Sequence, residues 1–467
     1  MPQGSLSRRR FLYLGGALAA GSALAARDPL SALASDPQAQ TVNLTFWTPG
    51  GSAPYCREFS IIARNFEKIH PTIRISKQCG TGSQDFITVL LARIAAGNPP
   101  DTTILWDTPV SLGARGALTT LDHLMSTSPG VRMQNWPSAA LASCQFKGKT
   151  YGLPVTAGTY CFWFNQDWFE KKGIPTSREK FPKTWDDLRK LSKEFTFWKS
   201  DRLVAAGYVP YFDSGDMDAT FFIWSALNGG QIYDAHKQKY TIDSDENVAM
   251  MEYMLSWLNE EYRGDISKVM RSGNFAGAYP SQDPQGRPPA FTLGKRAMIV
   301  EGSWFMGDIY TTGPLKFHRY GLASFPVGPH GSKTTAGCWP NWLAIPQGSH
   351  HVQEAFQWLE YLSTTGVKLW FTITPDMPAN KLVPQTLVPA VTVQHQGRAF
   401  ALDAMRFFHH QLDIATPMWN SPIQSFSIDQ LHKMRDRIMY KQAKPKQALA
   451  EAQRACQNQL ERTLRSS

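Results

Sequence analysis

No run of five basic residues occurs in this sequence, although 48 Lys and Arg against 38 Asp and Glu give a formal charge of +10. Nucleic acids and anionic membranes are gripped by concentrated basic footprints, so the charge argues for neither partner. Cysteine is scarce. Cys56, Cys79, Cys144, Cys161, Cys338 and Cys456 are too few and too far apart for a stapled scaffold, and no Cys-x-x-Cys pair offers a structural zinc site. Also missing are a Gly-x-Ser-x-Gly elbow, a Gly-x-x-x-x-Gly-Lys loop, a His-Glu-x-x-His helix and a dinucleotide fingerprint. These absences remove the common motif-borne routes to acyl transfer, nucleotide binding, zinc proteolysis and hydride transfer. The pairs His350-His351 and His409-His410 point apart on a helix and do not share a metal. No cofactor, no metal and no catalysis are expected. An internal repeat and a Gly/Ser linker are absent as well.

What is present is length and aromatic content. The 467 residues are about three times a single-domain length of ~150, so more than one core is expected. Fifteen Trp, 15 Tyr and 26 Phe make up 12% of the chain, more than cores alone usually take up.

Ser7-Arg8-Arg9-Arg10-Phe11-Leu12 opens a small-residue apolar stretch to Ala26, shorter than the ~20 residues of a membrane span. Ala32-Leu33-Ala34 follows as a cleavage signature, with Ala23-Leu24-Ala25 as the alternative. The segment 1–34 resembles a twin-arginine signal peptide, an uncleaved anchor being the other reading. Its removal takes Arg8, Arg9, Arg10 and Arg27 with Asp28, and leaves a mildly basic, exported protein. In an oxidising compartment Cys56 and Cys79 are the pair expected to join, since both follow strands that should end side by side; buried free thiols are the alternative.

The body alternates strands and helices. Val42, Leu44 and Phe46 alternate with polar residues, then Phe59, Ile62, Phe66 and Ile69 share a helical face. Ile73 and Ile75 mark a second strand, Phe86, Leu90 and Ile94 a second helix, and Thr103–Trp106 a third strand. This order predicts parallel pairing with right-handed crossovers, and a ligand past the strands' carboxyl ends. Further on, Tyr160–Phe164, Ala297–Val300 and Leu343–Ile345 read as strands, and Thr184 caps a helix. Two lobes joined by several crossings fit this scatter: 40–155 with 343–380 as lobe I, and 156–342 with 381–465 as lobe II, the latter including C-terminal helices.

Several segments in order resemble the extracellular solute-binding protein family 1, the sugar-binding components of ABC importers. They include Phe66-Glu67-Lys68-Ile69-His70-Pro71, Ala95-Ala96-Gly97-Asn98-Pro99-Pro100-Asp101 and Trp163-Phe164-Asn165-Gln166-Asp167-Trp168-Phe169. Others are Pro182-Lys183-Thr184-Trp185-Asp186-Asp187-Leu188, Gly294-Lys295-Arg296-Ala297-Met298 and Glu301-Gly302-Ser303-Trp304. The resemblance implies an α/β, two-lobed periplasmic-binding-protein fold, each lobe a mostly parallel sheet flanked by helices, and a membrane permease as partner. Maltose-binding members contact their ligand from positions matching Trp106, Trp304 and the loop around Asp216–Phe222, which brings in Asp218 and Phe222. An acidic hinge-strand position of those members aligns with Gly158, so maltose itself is not implied.

The chemistry of a sugar site supports the same reading. Apolar C–H faces call for aromatic planes, and rims of hydroxyls call for paired donors and acceptors. The segments expected to face the cleft, 45–55, 106–112, 154–165, 300–308 and 334–346, contain Trp47, Trp106, Trp163, Trp304, Trp339 and Trp342. They contain no Lys or Arg, and Asp107, Glu301 and Asp308 are their only acids. An anion would want an Arg fork, so anionic ligands are not expected. Trp106, Trp304, Trp47 and Trp339 are the candidate stacking residues; Asp107 and Glu301, with Asn341, Ser83 and Gln84, are the candidate hydroxyl partners. The expected function is an extracytoplasmic, monomeric receptor that captures a neutral carbohydrate, an oligosaccharide, and delivers it to an ABC permease. A cationic amine or polyamine, a glycerol phosphodiester and a carbohydrate hydrolase stand as alternatives.

Overall fold

A computed structural model describes residues 41–50, 53–80, 83–210 and 217–466. The signal segment expected over 1–34 and the side chains of Ser83, Gln84 and Asp218 lie outside the described residues. The chain opens with β1 (Val42–Thr48), α1 (Ala53–Ile69), β2 (Ile73–Cys79), α2 (Ser83–Ala95) and β3 (Thr102–Leu105). The long strand β4 (Leu153–Asn165) follows, buried at all thirteen positions. Next come α3 (Trp185–Phe195), α4 (Met217–Leu227), α5 (Asp245–Glu261), β5 (Met298–Gly302), the short α6 (Phe305–Asp308) and β6 (Tyr320–Ala323). The chain closes with β7 (Ala336–Ala344), α7 (Val352–Tyr361), α8 (Val367–Ile373), β8 (Ala415–Pro417), α9 (Gln424–Met439) and α10 (Pro445–Ser466). No helix among the described residues is long and apolar enough to cross a membrane.

The eight strands form one mixed sheet ordered β5-β4-β7-β3-β1-β2, with β6 added on β4 and β8 on β7. The parallel pairing expected from the strand–helix alternation holds for β1 with β2 and with β3. Beyond them the pattern changes: β7 enters antiparallel between β3 and β4, and β5 and β6 both run antiparallel to β4. Backbone hydrogen bonds from Ala157 to Met377 and from Ala379 to Val155 lay a third segment beside β4. Between Val155 and Ala157, β4 is thus flanked by β7 on one side and by residues 377–379 on the other.

Aromatic side chains supply much of the core. Phe46 and Phe66 meet Trp358 edge-on at 5.4 and 5.2 Å, and Phe59 meets Trp370 at 5.1 Å. On the other side of the crossing Phe162, Trp224 and Phe325 interlock at 5.5–6.2 Å. Eight of the fifteen tryptophans are wholly buried, Trp163, Trp185 and Trp342 among them, so the core takes most of the aromatic excess that the composition suggested for a ligand. Thr184 caps α3 as expected, its Oγ1 accepting the Asp187 N–H at 3.2 Å.

Cys56 and Cys79 form a disulfide between α1 and the end of β2, and the other four cysteines are free and buried. The bond spans a sequence separation of 23 residues. Closing a loop of that size in the unfolded chain is worth about 3 kcal/mol. Reduction, or the Cys56→Ser/Cys79→Ser pair, is therefore expected to lower the unfolding free energy by about that amount in urea titrations. An unmoved midpoint would show that the bond constrains nothing.

Candidate functional site

The crossing strands present one polar-aromatic face. Register pairs Trp339 with Gly158 and Asn341 with Thr156, and residues directly opposite in an antiparallel ladder project to the same side. Tyr160, two residues on, pairs with Gly302 of β5 on that side. Trp304 follows β5 by two residues and starts α6. A Cβ built on Gly158 would stand 2.5 Å from Trp304 Cζ3, and one on Gly302 would stand 2.3 Å from Cη2. The indole therefore lies across two bare backbones, where no other residue type leaves it room. Tyr160 meets it edge-on at 5.1 Å, and it remains half-buried.

Polar groups gather beside this ring. Asn341 Nδ2 donates to Thr156 Oγ1 and to Asp376 Oδ2, both at 2.7 Å. The other oxygen, Asp376 Oδ1, sits 3.2 Å from the point where a Gly158 Cβ would be. Thr374 Oγ1 donates to Glu58 Oε2 at 3.3 Å, and Tyr279 Oη to Asp308 Oδ2 at 2.9 Å. Burial pushes the carboxyls up from their ordinary values: Glu58 to about 9, Asp376 to about 7 and Asp308 to about 6. Among the described residues the charges that bear on Glu58 and Asp376 are other carboxylates of this group, and they push the same way. Among the described residues no three His, Cys, Asp or Glu side chains come close enough to hold a metal ion.

The candidates from sequence divide clearly. Trp304, Trp339 and Asn341 come together on this face. Trp106 and Asp107 stand at the end of the neighbouring β3, Trp106 half-buried against the core. Asp107 accepts the Ser425 hydroxyl of α9 at 3.0 Å, and burial raises its pKa. Trp47 is a correction: it is 8% exposed, packed on Phe86 at 6.3 Å with the Arg93 guanidinium over its ring, because both faces of β1 are covered at that end. Phe222 is another, buried in α4 against Trp419 at 6.0 Å. Glu301 leaves β5 on the side opposite the one Gly302 shares with the indole; its carboxylate is buried, accepts the Gly302 N–H at 2.7 Å, and acts electrostatically on Tyr279, the donor to Asp308. Gln84, Ser83 and Asp218 lie outside the described side chains.

Two residues were missed, and both left a trace. Glu58 is one and two turns before Ile62 and Phe66 on the buried face of α1, where an acid is out of place. Asp376 stands between Pro375 and Pro378, two rigid points in a loop that crosses the fold. Its carboxylate also answers the Gly158 departure, because an acid reaches that position from a different segment.

An indole plane beside carboxyl and amide groups, with no cation among them in the described residues, suits a ligand that is apolar on its faces and hydroxylated at its rim. Comparison with known proteins agrees in kind. The family model described as bacterial extracellular solute-binding protein matches residues 59–369. A multiple sugar-binding protein of Streptococcus mutans is 22% identical over 305 residues, 65% of this chain and 67% of that protein. An arabinooligosaccharide-binding protein of Bacillus subtilis is 23% identical over 314 residues, 67% of this chain and 64% of the relative. The chain thus spans about two thirds of the length of these relatives. A solved structure described as CpMnBP1 with mannotriose bound superposes with a TM-score of 0.71 at 22% identity, covering 88% of this chain and 99% of that one. The shared architecture is the two-lobed fold of periplasmic binding proteins.

Proposed function

Because the chain belongs to the bacterial extracellular solute-binding protein family, we propose that it captures an oligosaccharide between its two lobes and delivers it to an ABC permease. Proteins of this family serve transport outside the cytoplasm. On this reading 1–34 is a twin-arginine export signal, the receptor is a monomer, and it performs no chemistry. Lobe I comprises 40–155 with 343–380 and lobe II 156–342 with 381–465; the placement of β4 between β7 and 377–379 supports a hinge there. The observation that carries the proposal is the Trp304 indole, laid over Gly158 and Gly302 and left half open beside Asn341 and Asp376.

A ligand that touches both lobes favours the closed arrangement by the difference in its affinity for the two states. Sugar-binding relatives at the covered length support the substrate class. The glycerol phosphodiester alternative would need a cation, and the segments expected to face the cleft hold neither Lys nor Arg.

Trp304→Ala tests the reading. Oligosaccharide affinity in a tryptophan-fluorescence or calorimetric titration is expected to fall about tenfold or more, roughly 1.4 kcal/mol per decade. The melting temperature of the ligand-free variant is expected to stay near wild type. A large loss of stability with unaltered affinity would make the ring a core residue and end the proposal.

A further inference from the structure

We propose that the oligosaccharide carries a basic nitrogen, and that the ammonium group of an amino-sugar unit docks against Asp376 beside the Trp304 indole, with Glu58 and Asp308 as the nearby acids. The inference rests on the reading of the cleft as a saccharide site, and it replaces the wholly neutral sugar that the sequence leads one to expect.

Two oxygens in this cluster are buried and unpartnered: Asp376 Oδ1, on a residue 7% exposed, and Glu58 Oε1, on one 1% exposed. Each carboxyl is anchored through its other oxygen by a neutral donor, Asn341 for Asp376 and Thr374 for Glu58. Asp308 is held in the same manner by the Tyr279 phenol. Asp376 Oδ1 and Trp304 Cζ3 both crowd the point above Gly158 where a Cβ would sit, so the free oxygen lies against the edge of the aromatic platform.

Glu58 and Asp376 are buried and Asp308 half-buried, with no Lys or Arg of the described residues acting on them; such a group of acids is costly, and an apolar core of the same volume would be more stable. They come from separate parts of the chain: α1, the 374–380 crossing and α6. A metal ion is not what gathers them, since no three such groups stand within reach of one centre among the described residues. An ammonium group needs only one carboxylate, donates three hydrogen bonds, and gains further from the face of an indole. Burial favours the protonated form of Glu58 and, in part, of Asp376 at neutral pH, and an incoming ammonium displaces the proton on Asp376.

The test is isothermal titration of the full chain with matched trisaccharides, α-1,4 and β-1,4, built of glucose or of 2-amino-2-deoxyglucose units. The amino member is expected to bind at least tenfold tighter, to release protons into the buffer, and to lose its advantage as salt rises. Asp376→Asn, with Glu58→Gln as a second variant, is expected to bring the amino-to-hydroxyl affinity ratio close to one while circular dichroism stays unchanged. Glucose oligomers binding as well as or better than their amino counterparts overturns this inference and leaves the saccharide reading standing. Spermidine binding where no trisaccharide does, or no binding by any of them, overturns both.

Discussion

Between pH 6.5 and pH 8 the ligand-free protein is expected to lose stability as the pH rises. Glu58 and Asp376 have folded-state values near 9 and 7, against ordinary values of 4.5 and 3.8. In that interval the folded protein holds protons that the unfolded chain has already released, so each upward step in pH favours unfolding. The stabilisation is complete below the unfolded values near 4 and fades as the pH climbs through the folded ones. Each group costs up to about 1.4 kcal/mol per pH unit while the pH lies between its two values. His409 and His432, whose values burial lowers, act in the opposite direction only up to about their ordinary 6.5, which sets the lower limit of the window. The exposed, ion-paired acids such as Glu260 and Glu451 have lowered values, and they matter only below the carboxylate range. Thermal melts across the window should show a falling midpoint, and Glu58→Gln with Asp376→Asn should flatten it. A midpoint that stays level or rises in the wild type would mean that these carboxyls are solvated and ionised.

A single methyl group at Gly158 is expected to cost at least tenfold in ligand affinity, roughly 1.4 kcal/mol, while the fold persists. Its Cβ would meet Trp304 Cζ3 at 2.5 Å and Asp376 Oδ1 at 3.2 Å. The half-buried ring is the part free to give way, so Gly158→Ala displaces the platform rather than the strand. The effect is then carried by Trp304. In a double-mutant cycle Gly158→Ala should add little once Trp304→Ala is present, because the atom it would strike is gone. Additive losses, or wild-type binding by Gly158→Ala, would separate the glycine from the ring.

Local signals in the chain were legible wherever one element decides the outcome. The alternation in Val42–Thr48, the Thr184 cap and the helical face of Phe59, Ile62 and Phe66 are properties of neighbours, and the structure keeps them. So was the Cys56–Cys79 bond, because Cys56 lies in the first turn of the helix after β1 and Cys79 ends the neighbouring β2 of one β-α-β unit. The candidate site was legible only in part. Trp304 announced itself by following a strand with Gly302 two residues before it, yet which ring faces the ligand depends on strand pairing over 140 residues away. Trp47 went astray for that reason: period-2 alternation tells which residues share a side, and only the third dimension tells which side is open. The Asp376–Asn341 contact joins segments 35 residues apart, and Glu58–Thr374 joins segments 316 apart. No spacing rule reaches that far.

The position of β7 has a consequence for biosynthesis. It is the strand that closes the gap between β3 and β4, though it leaves the ribosome more than 170 residues after β4 has been made. Until then two strands face water with their amide rows vacant, each a template on which another nascent copy could add. Chains stalled or clipped ahead of residue 336 are thus the aggregation-prone products, and a folding helper that shields strand edges would act through the middle of translation rather than at its close.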